Sequence, residues 1–150
     1  LTETPEDADA LRLLGEAIWD QARDGPSDQL ALGREARGHL AKAYALNPDD
    51  YRTLFLLAET RQVSQDFPSD NDVETLLAAL DLAPQVPTLR IFTAQTRARR
   101  QEYAQAIDLL QPLASSPHPS GATVLARTLI DRYQTASEEA EADQENVAAP

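Results

Sequence analysis

The amino-acid sequence predicts an all-α protein. Alanine and leucine dominate the 150 residues, together with acidic side chains, glutamine and arginine, and there are only five glycines. Most of these side chains lose little rotamer freedom in a helix. No segment shows the apolar–polar alternation of a half-buried strand. Ten prolines, several of them at near-regular intervals, divide the chain into short apolar segments.

Seven segments with helical apolar spacing follow one another along the chain. The first begins at Thr4, which can cap a helix, followed by Pro5, which suits the first helical position. Loops around Pro26 and Pro48 separate the first three helices. Their apolar faces consist of Leu11, Leu14, Ile18 and Ala22; Leu32, Ala36, Leu40 and Ala43; and Leu54, Leu57 and Ala58.

Four more helices continue this pattern. The fourth ends before Pro84, the fifth begins at Pro87, the sixth ends before Pro117, and Ser120 can cap the seventh. Their apolar faces consist of Val73, Leu76, Leu77 and Leu80; Leu89, Phe92, Ala94 and Ala98; Tyr103, Ala106, Ile107, Leu110 and Leu113; and Val124, Leu125, Leu129 and Ile130.

The net charge of -12 is unevenly distributed along the chain. Residues 1–10 and 137–150 carry nine acids and no base, which leaves 16 acids against 13 bases in the body. Because 137–150 also lacks an apolar face, we expect a disordered acidic tail there, after a helical domain over 1–136. The nearly balanced body argues against a nucleic-acid partner, whose affinity depends on Lys and Arg. No apolar run approaches the ~20 residues of a membrane span.

Part of the sequence matches itself after a shift of 36 residues. The matched pairs are Leu40 with Leu76, Ala43 with Ala79, Leu46 with Leu82, Pro48 with Pro84, Ala58 with Ala94, Thr60 with Thr96, and Arg61 with Arg97. The match spans a helix end, a proline turn and the following helix. A period of this length predicts stacked helical repeats.

This pattern resembles the tetratricopeptide repeat, a pair of antiparallel helices closed by a proline. Its most specific parts are the runs Ala-Leu-Asn-Pro-Asp-Asp at 45–50 and Glu-Tyr-Ala-Gln-Ala-Ile-Asp-Leu-Leu at 102–110. The resemblance covers about 8–135 and implies a right-handed superhelical stack of about three helix pairs plus a C-terminal capping helix. A HEAT-like or half-a-tetratricopeptide stack is the structural alternative. The chain departs from the pattern in a long first pair, with 24–29 as the candidate insertion, and at Asp72, where a small residue is usual.

In the resembled family, the first helix of each pair lines a concave surface that holds a peptide or a partner protein. Carried over to this sequence, the surface contains Arg12, Glu16, Trp19, Arg52, Phe55, Glu59, Gln62, Thr88, Ile91, Gln95 and Arg99. Trp19, Phe55 and Ile91 would then be apolar anchors flanked by charges. The alternative for Trp19 and Phe55 is that they pack in the core. Glu16 and Leu56 stand where asparagine would be needed to clamp a chaperone tail, which disfavours that function.

The sequence contains no motif typical of catalysis or metal binding. An acidic group that could be considered for calcium has ligand spacing that matches no known calcium loop; it consists of Asp66, Asp70, Asn71 and Asp72. There is no cysteine, and the two histidines, His39 and His118, have no second ligand at metal-binding spacing. Nucleophile elbows, Walker loops and dinucleotide fingerprints do not occur. We therefore predict no catalytic residue, no metal and no cofactor.

The partner predicted from this sequence is a peptide or protein of unknown identity. Arg97, Arg99 and Arg100 form a basic cluster that could bind an acidic partner or the protein's own tail, or stay solvated. Two other interpretations remain open, namely a regulatory or substrate-docking domain of a larger enzyme and a self-association module that forms a homo-oligomer.

Overall fold

All regular structure in the described part of the chain is helical. The computed structural model describes residues 7–25 and 28–148, so the predicted start at Thr4 and Pro5 lies outside it. The seven α-helices are α1 (Ala8–Asp24), α2 (Gln29–Leu46), α3 (Tyr51–Glu59), α4 (Asp70–Leu82), α5 (Pro87–Arg99), α6 (Tyr103–Ala114) and α7 (Gly121–Ala148). A 3₁₀ turn over Thr60–Val63 follows α3. The predicted all-α fold class is confirmed.

The chain divides into two compact units, which we call the N-terminal unit (Leu1–Ala83) and the C-terminal unit (Pro84–Pro150). In the N-terminal unit α1 packs on α2 and α3 on α4, and in the C-terminal unit α6 lies between α5 and α7. Residues 25–28, 100–102 and 115–120 join α1 to α2, α5 to α6 and α6 to α7, whereas the ten residues 60–69, which include the 3₁₀ turn, join α3 to α4. Each packed pair of consecutive helices is a helical hairpin. The boundary falls at Pro84, where the second repeat was predicted to end, although one domain was expected over 1–136.

The buried face of α1 is rotated relative to the predicted one. The structure buries Arg12, Gly15, Trp19 and Ala22, whereas Leu14, which was assigned to the core, is 46% exposed. Glycine explains this choice of face. A Cβ atom at Gly15 would lie 2.7 Å from Leu40 Cγ and 3.1 Å from the carbonyl oxygen of Ala36, so α1 approaches α2 more closely than any larger residue would allow.

The extra residues of the first helix pair lie in its helices. α1 has 17 residues and α2 has 18, whereas α5 and α6 have 13 and 12. Only residues 25–28 separate α1 from α2, so the expected insertion at 24–29 is a short connection between two long helices. The N-cap of α1 is Asp7, whose side chain accepts a hydrogen bond from the backbone N–H of Asp9.

Asp72, the residue that departs from the repeat pattern, anchors the connection between α3 and α4. Its side chain is 2% exposed and accepts hydrogen bonds from the backbone N–H and the hydroxyl of Ser69, which completes a capping box. The same carboxylate accepts a bond from Nε of Arg61 at 3.1 Å. A small residue would leave the start of α4 and this guanidinium without these partners.

The core of the C-terminal unit combines small and large side chains from its three helices. Ala94 on α5, Ala106 on α6 and Ala126 on α7 have no exposed surface, and Leu110 and Tyr133 fill the space beside them. Two polar side chains of α5 donate hydrogen bonds to main-chain carbonyls. The hydroxyl of Thr93 donates to the carbonyl of Leu89, and Arg90 donates to the carbonyls of Pro84 and Leu109.

α7 extends well beyond the predicted end of the folded region. It continues as a helix to Ala148, whereas a disordered tail was expected over 137–150. Alanine, glutamate and glutamine have high helix propensity, so this segment remains helical although most of its described side chains are exposed. Val124 and Leu125 were assigned to the apolar face of α7 but are 61% and 42% exposed.

Candidate functional site

A solvent-open cavity of about 380 Å³ lies within the C-terminal unit. The lining positions of α5 and of α7 follow the three- and four-residue spacing of one helix face, and α6 contributes its first residue. Each of the two longer contributions therefore comes from a single face of its helix. The lining residues are Gln95, Ala98 and Arg99 of α5, Tyr103 of α6, and Leu129, Arg132, Tyr133 and Ala136 of α7.

Two tyrosines and a leucine form the apolar part of the cavity wall. The ring centroids of Tyr103 and Tyr133 are 6.2 Å apart with an angle of 32° between the ring planes, a tilted aromatic pair. Tyr133 is 8% exposed and Leu129 is 4% exposed. Burial raises the pKa of Tyr133 above its ordinary value of 10.0, although the nearby charges of Arg132 and Arg99 partly oppose that shift. The phenol is therefore neutral at physiological pH.

The polar part of the cavity wall is cationic. Arg99 and Arg132 are both exposed, and Gln95 supplies an amide that can donate and accept hydrogen bonds. None of the eight lining residues is acidic. An apolar wall beside the hydrogen-bond donors of two arginines and an amide can accommodate a side chain that ends in, or neighbours, a negatively charged group.

A tight turn between α5 and α6 positions Tyr103. Gln101 has a positive φ of 62°, and the backbone N–H of Glu102 donates to the carbonyl of Arg97. The carboxylate of Glu102 accepts from Arg97 at 2.6 Å and from Arg100 at 2.7 Å. Burial raises the pKa of Glu102, but the hydrogen bonds from these two arginines outweigh it and leave the pKa below its usual value. Of the predicted basic cluster, Arg97 and Arg100 thus bind Glu102, and Arg99 lines the cavity.

The predicted surface residues of the C-terminal unit lie in different environments. Gln95 and Arg99 are brought together at the cavity. Ile91 is half-buried and packs against the core cluster around Ala94 and Leu110. Thr88 is exposed in the first turn of α5.

In the N-terminal unit, Arg12 and Trp19 were predicted to contact a peptide, but both side chains are buried. Trp19 is 3% exposed and packs with Ala22, Ala36, Leu40 and Leu56, so the alternative of a core tryptophan holds. Arg12 is 9% exposed. The rotation of α1 that brings Gly15 against α2 carries both side chains inward.

Ion pairs connect Arg12 and Arg23 of α1 to the N-cap and to the last residue of α3. Arg12 Nη1 donates to Glu16 at 3.0 Å, and Arg12 Nε lies 3.3 Å from Asp50 Oδ2, although not at hydrogen-bonding geometry. Arg23 Nη1 donates to Glu59 at 3.2 Å. Glu16 and Glu59 therefore each form an ion pair with an arginine of α1.

Burial raises the pKa of Glu59 above its ordinary value of 4.5. The charge of Arg23 and the nearby indole N–H of Trp19 lower it, but by less. That N–H has no partner at hydrogen-bonding geometry among the described residues. The remaining predicted residues are more accessible, since Phe55 and Gln62 are half-buried and Arg52 is exposed beside the ring of Tyr51 at 5.5 Å.

A second cavity of about 360 Å³ lies in the N-terminal unit, between α2, α3 and α4. None of the predicted surface residues lines it. Its wall consists of Arg37, Tyr44, Leu54, Leu57, Ala58, Arg61, Asn71, Asp72 and Thr75. Arg37 donates to the carbonyl of Thr60 at 2.7 Å, and burial, with the nearby charges of Arg61 and Arg34, lowers its pKa.

The cavity residues of α7 were missed because the seventh helix was interpreted only as a cap. A signal was present in the spacing of Leu129, Arg132, Tyr133 and Ala136, which continues the helical period past the predicted end of the apolar face. That these positions meet Gln95 and Arg99 of α5 depends on helix packing, which periodicity does not specify.

The described ranges, 7–25 and 28–148, contain neither a metal-binding cluster nor a membrane-spanning helix. No group of three or more His, Asp or Glu side chains is arranged to hold a metal ion. No helix is both long and apolar enough to cross a membrane. Asp66, in the loop before α4, and Asp72, in the first turn of α4, both bind Arg61.

No protein-family model matches this chain, and no curated protein matches its sequence. Solved structures do resemble it. The type III secretion translocator chaperone SycD of Yersinia enterocolitica matches with a TM-score of 0.67 at 15% identity, covering 89% of each chain. SycD in complex with a peptide of the translocator YopD gives 0.66 at 14% identity, covering 89% of this chain and 98% of that one. An alternative dimer of SycD gives 0.67 at 15% identity, covering 90% and 99%. At this level of identity the likeness establishes the fold, and the chain therefore has a tetratricopeptide-like, all-helical repeat fold.

Proposed function

We propose that this chain is a non-catalytic, tetratricopeptide-type module that binds a segment of a partner protein, with the cavity of the C-terminal unit as an anchoring site. The observation that carries this proposal is the position of Gln95 and Arg99. Both were placed on the ligand-binding surface from the repeat pattern alone, and both line a cavity with an aromatic wall. Concave sites with an apolar wall and a few polar groups are the usual form of a binding site.

The likeness to SycD supports the same function. One of the matching structures contains SycD with a peptide of the protein YopD. A peptide-binding role also agrees with the absence of a catalytic constellation in the sequence, where two histidines stand alone and cysteine does not occur. Each unit keeps other predicted surface residues at least partly accessible, namely Arg52, Phe55 and Gln62 in the N-terminal unit and Ile91 in the C-terminal unit.

Filling the cavity is the direct test. Ala136 is half-buried at its edge, so Ala136→Trp should occupy the space that a ligand side chain would enter. Ala104→Trp adds the same side chain at an exposed position of α6 that does not line the cavity. In a capture experiment with each protein as bait, a partner bound by wild type and Ala104→Trp should be lost from Ala136→Trp. A partner that both variants retain would place binding outside the cavity, and the absence of any partner would contradict the proposal.

Self-association is a second candidate, because α1 carries an exposed apolar stripe. Leu13 and Leu14 are 55% and 46% exposed, and Ala10 and Ala17 extend the stripe by one turn on each side. Exposed contiguous apolar surface is typical of contact sites. If this stripe joins two copies, light scattering should show a dimer that Leu13→Glu converts to a monomer. A monomeric wild type would exclude this candidate.

A further inference from the structure

The cavity of about 360 Å³ in the N-terminal unit combines an apolar wall with a cation that no described acid contacts. α3 supplies most of the apolar wall through Leu54 and Ala58, which are buried, and Leu57, which is half-buried. α2 adds the ring of Tyr44 and, seven residues earlier on the same helix face, the guanidinium of Arg37. A mostly apolar wall with a few polar groups is the usual composition of a ligand pocket.

Arg37 is half-buried, and its only hydrogen bond within the described chain is to a neutral group. Its Nη1 donates to the main-chain carbonyl of Thr60 at 2.7 Å. Among the described residues, no carboxylate lies within ion-pairing distance of this guanidinium, and its Nε and Nη2 have no acceptor. These two nitrogens form one edge of the planar group and can donate together to one ligand.

The two acids closest to Arg37 already bind Arg61. Asp72 lines the cavity but is 2% exposed, and its oxygens accept from Nε of Arg61 and from the backbone N–H and hydroxyl of Ser69. Asp66 accepts from Nη2 of Arg61. The other acids within three residues of a lining residue on these helices do not line the cavity themselves; they are Glu35, Glu59, Asp70 and Glu74.

The electrostatic surroundings of Arg37 agree with this pairing. Burial lowers the pKa of its guanidinium, and the like charges of Arg61 and Arg34 lower it further. The opposite charges of Asp72 and Asp66 raise the pKa but do not restore its usual value. An anion that reached Arg37 from the cavity would therefore stabilise a positive charge that the protein compensates only in part.

Independently of the proposed function, we infer that this cavity binds a small monocarboxylic acid with a branched or aromatic apolar group. The apolar group packs against Leu54, Leu57 and the ring of Tyr44, and the carboxylate accepts hydrogen bonds from Arg37. The planar fork of arginine matches the two oxygens of a carboxylate. The cavity volume is near the lower end of the roughly 300–1,000 Å³ of small-molecule pockets, which suits a small molecule.

The charges around the cavity favour a carboxylate over a phosphate ester. A phosphate ester carries nearly two negative charges at neutral pH. Its second charge would approach Asp72 and Asp66 without gaining a second cation, because Arg61 already binds both acids. A single negative charge matches the one guanidinium that lacks a counter-ion.

A titration of the whole chain with phenylacetate, followed by heteronuclear NMR, tests the inference. Phenylacetamide is the matched probe, because it keeps the apolar group and replaces the carboxylate with a neutral amide. Three variants are compared with wild type. Arg37→Met removes the charge and keeps an apolar stem, Thr75→Trp fills the cavity from a half-buried lining position, and Lys42→Met removes an exposed cation of α2 that does not line the cavity. Emission from Trp19, in the core of this unit, confirms that each variant is folded.

Phenylacetate should shift the amide signals of the lining residues in wild type and in Lys42→Met. The expected dissociation constant is on the order of 1 mM, because the probe has so few atoms. Wild type should bind phenylacetamide about tenfold more weakly, as the loss of a charged hydrogen bond predicts. Arg37→Met should bind the acid and the amide alike, and Thr75→Trp should bind neither.

Equal affinity of wild type for the acid and the amide would overturn the anionic chemistry, and this comparison does not depend on the folding of any variant. The absence of shifts, or shifts confined to the C-terminal unit, would overturn the site. A peptide ending in phenylalanine that binds this cavity more tightly than phenylacetate would overturn the assignment to a small molecule. These outcomes leave the proposed function untouched, because its cavity lies in the other unit.

Discussion

Arg61 donates a hydrogen bond from Nε to Oδ1 of Asp72 over 3.1 Å, and this contact links the 3₁₀ turn after α3 to the first turn of α4. The partners differ in exposure, with 26% of the Arg61 side chain and 2% of the Asp72 side chain accessible. A second acid, Asp66, binds the outer nitrogen Nη2 of the same guanidinium. The hairpin of α3 and α4 therefore depends on a buried carboxylate that sequence comparison with the repeat pattern marked only as a departure.

Replacing this carboxylate should destabilise the N-terminal unit. Asp72→Ala removes the capping box and leaves the guanidinium of Arg61 with one partner, which we expect to lower the free energy of unfolding by about 2–3 kcal/mol. Urea denaturation measures the change. Glu74→Ala, on an exposed position of the same helix, is the control and should change stability little. Equal effects of the two substitutions would contradict the structural role of Asp72.

The small residues of the second helix in each N-terminal pair should not tolerate enlargement. Ala79 has no exposed surface and Ala43 is 1% exposed. Ala79→Leu or Ala43→Leu should therefore lower stability by roughly 1–3 kcal/mol through overpacking. Ala78→Leu adds the same atoms one position away on an exposed face. If thermal melting does not distinguish Ala78→Leu from Ala79→Leu, the packing of α4 described above is wrong.

The stability of the N-terminal unit should depend on the ionisation of Glu59. Because burial raises the pKa of Glu59 above 4.5, the folded state holds this proton more tightly than the unfolded state. The protonated form of Glu59 therefore contributes stability to the folded state. This contribution is complete at pH values below the ordinary pKa, and it is lost as the pH rises through the raised pKa of the folded state. Glu59→Gln should therefore gain stability relative to wild type over that interval, measured by urea denaturation at a series of pH values.

Arg23→Met should be measured in the same pH series, as a variant matched to Glu59→Gln. It removes the cation whose charge lowers the pKa of Glu59, so the interval in which stability is lost should extend to higher pH. A difference between wild type and Glu59→Gln that stays constant from acid to neutral pH would show that Glu59 titrates alike in both states.

Deleting 137–150 should leave the melting temperature nearly unchanged. Only Ser137 and Ala140 are half-buried among the described side chains of this segment, and the core positions of α7 all precede it. A longer deletion from Leu129 onward removes Leu129, Ile130 and Tyr133 and should unfold the C-terminal unit. A large loss of stability from the shorter deletion would mean that the acidic end of α7 makes stabilising contacts.

The helices and much of the core were predictable because their signals are local. Apolar periodicity located the seven helices of the described chain. The 36-residue repeat identified Ala43 and Ala79 as a pair of buried small residues, and it identified Pro84 as the end of a repeat. Which face a helix buries was less predictable. On α1 a stripe through Leu14 competes with one through Gly15 and Trp19, and the second is buried because glycine allows the closer approach to α2.

The candidate site was predictable only in part for a related reason. Gln95 and Arg99 followed from the position of α5 in its repeat, since the face of a first helix is fixed by the pattern. Arg132 and Tyr133 lie on α7, which no repeat unit contains, so their meeting with α5 depends on how α6 and α7 pack. The end of α7 was missed because helix propensity without an apolar face resembles a solvated tail.

The burial of Trp19 makes the two units distinguishable by fluorescence. The chain has one tryptophan, and it lies in the core of the N-terminal unit. Emission from the indole therefore follows the unfolding of that unit alone, whereas circular dichroism sums over all helices. Coinciding transitions would indicate that both units unfold as one cooperative system, and a loss of helix without a shift in emission would be assigned to the C-terminal unit. Ligand-induced stabilisation of the cavity could then be followed separately from the stability of the unit that does not contain it.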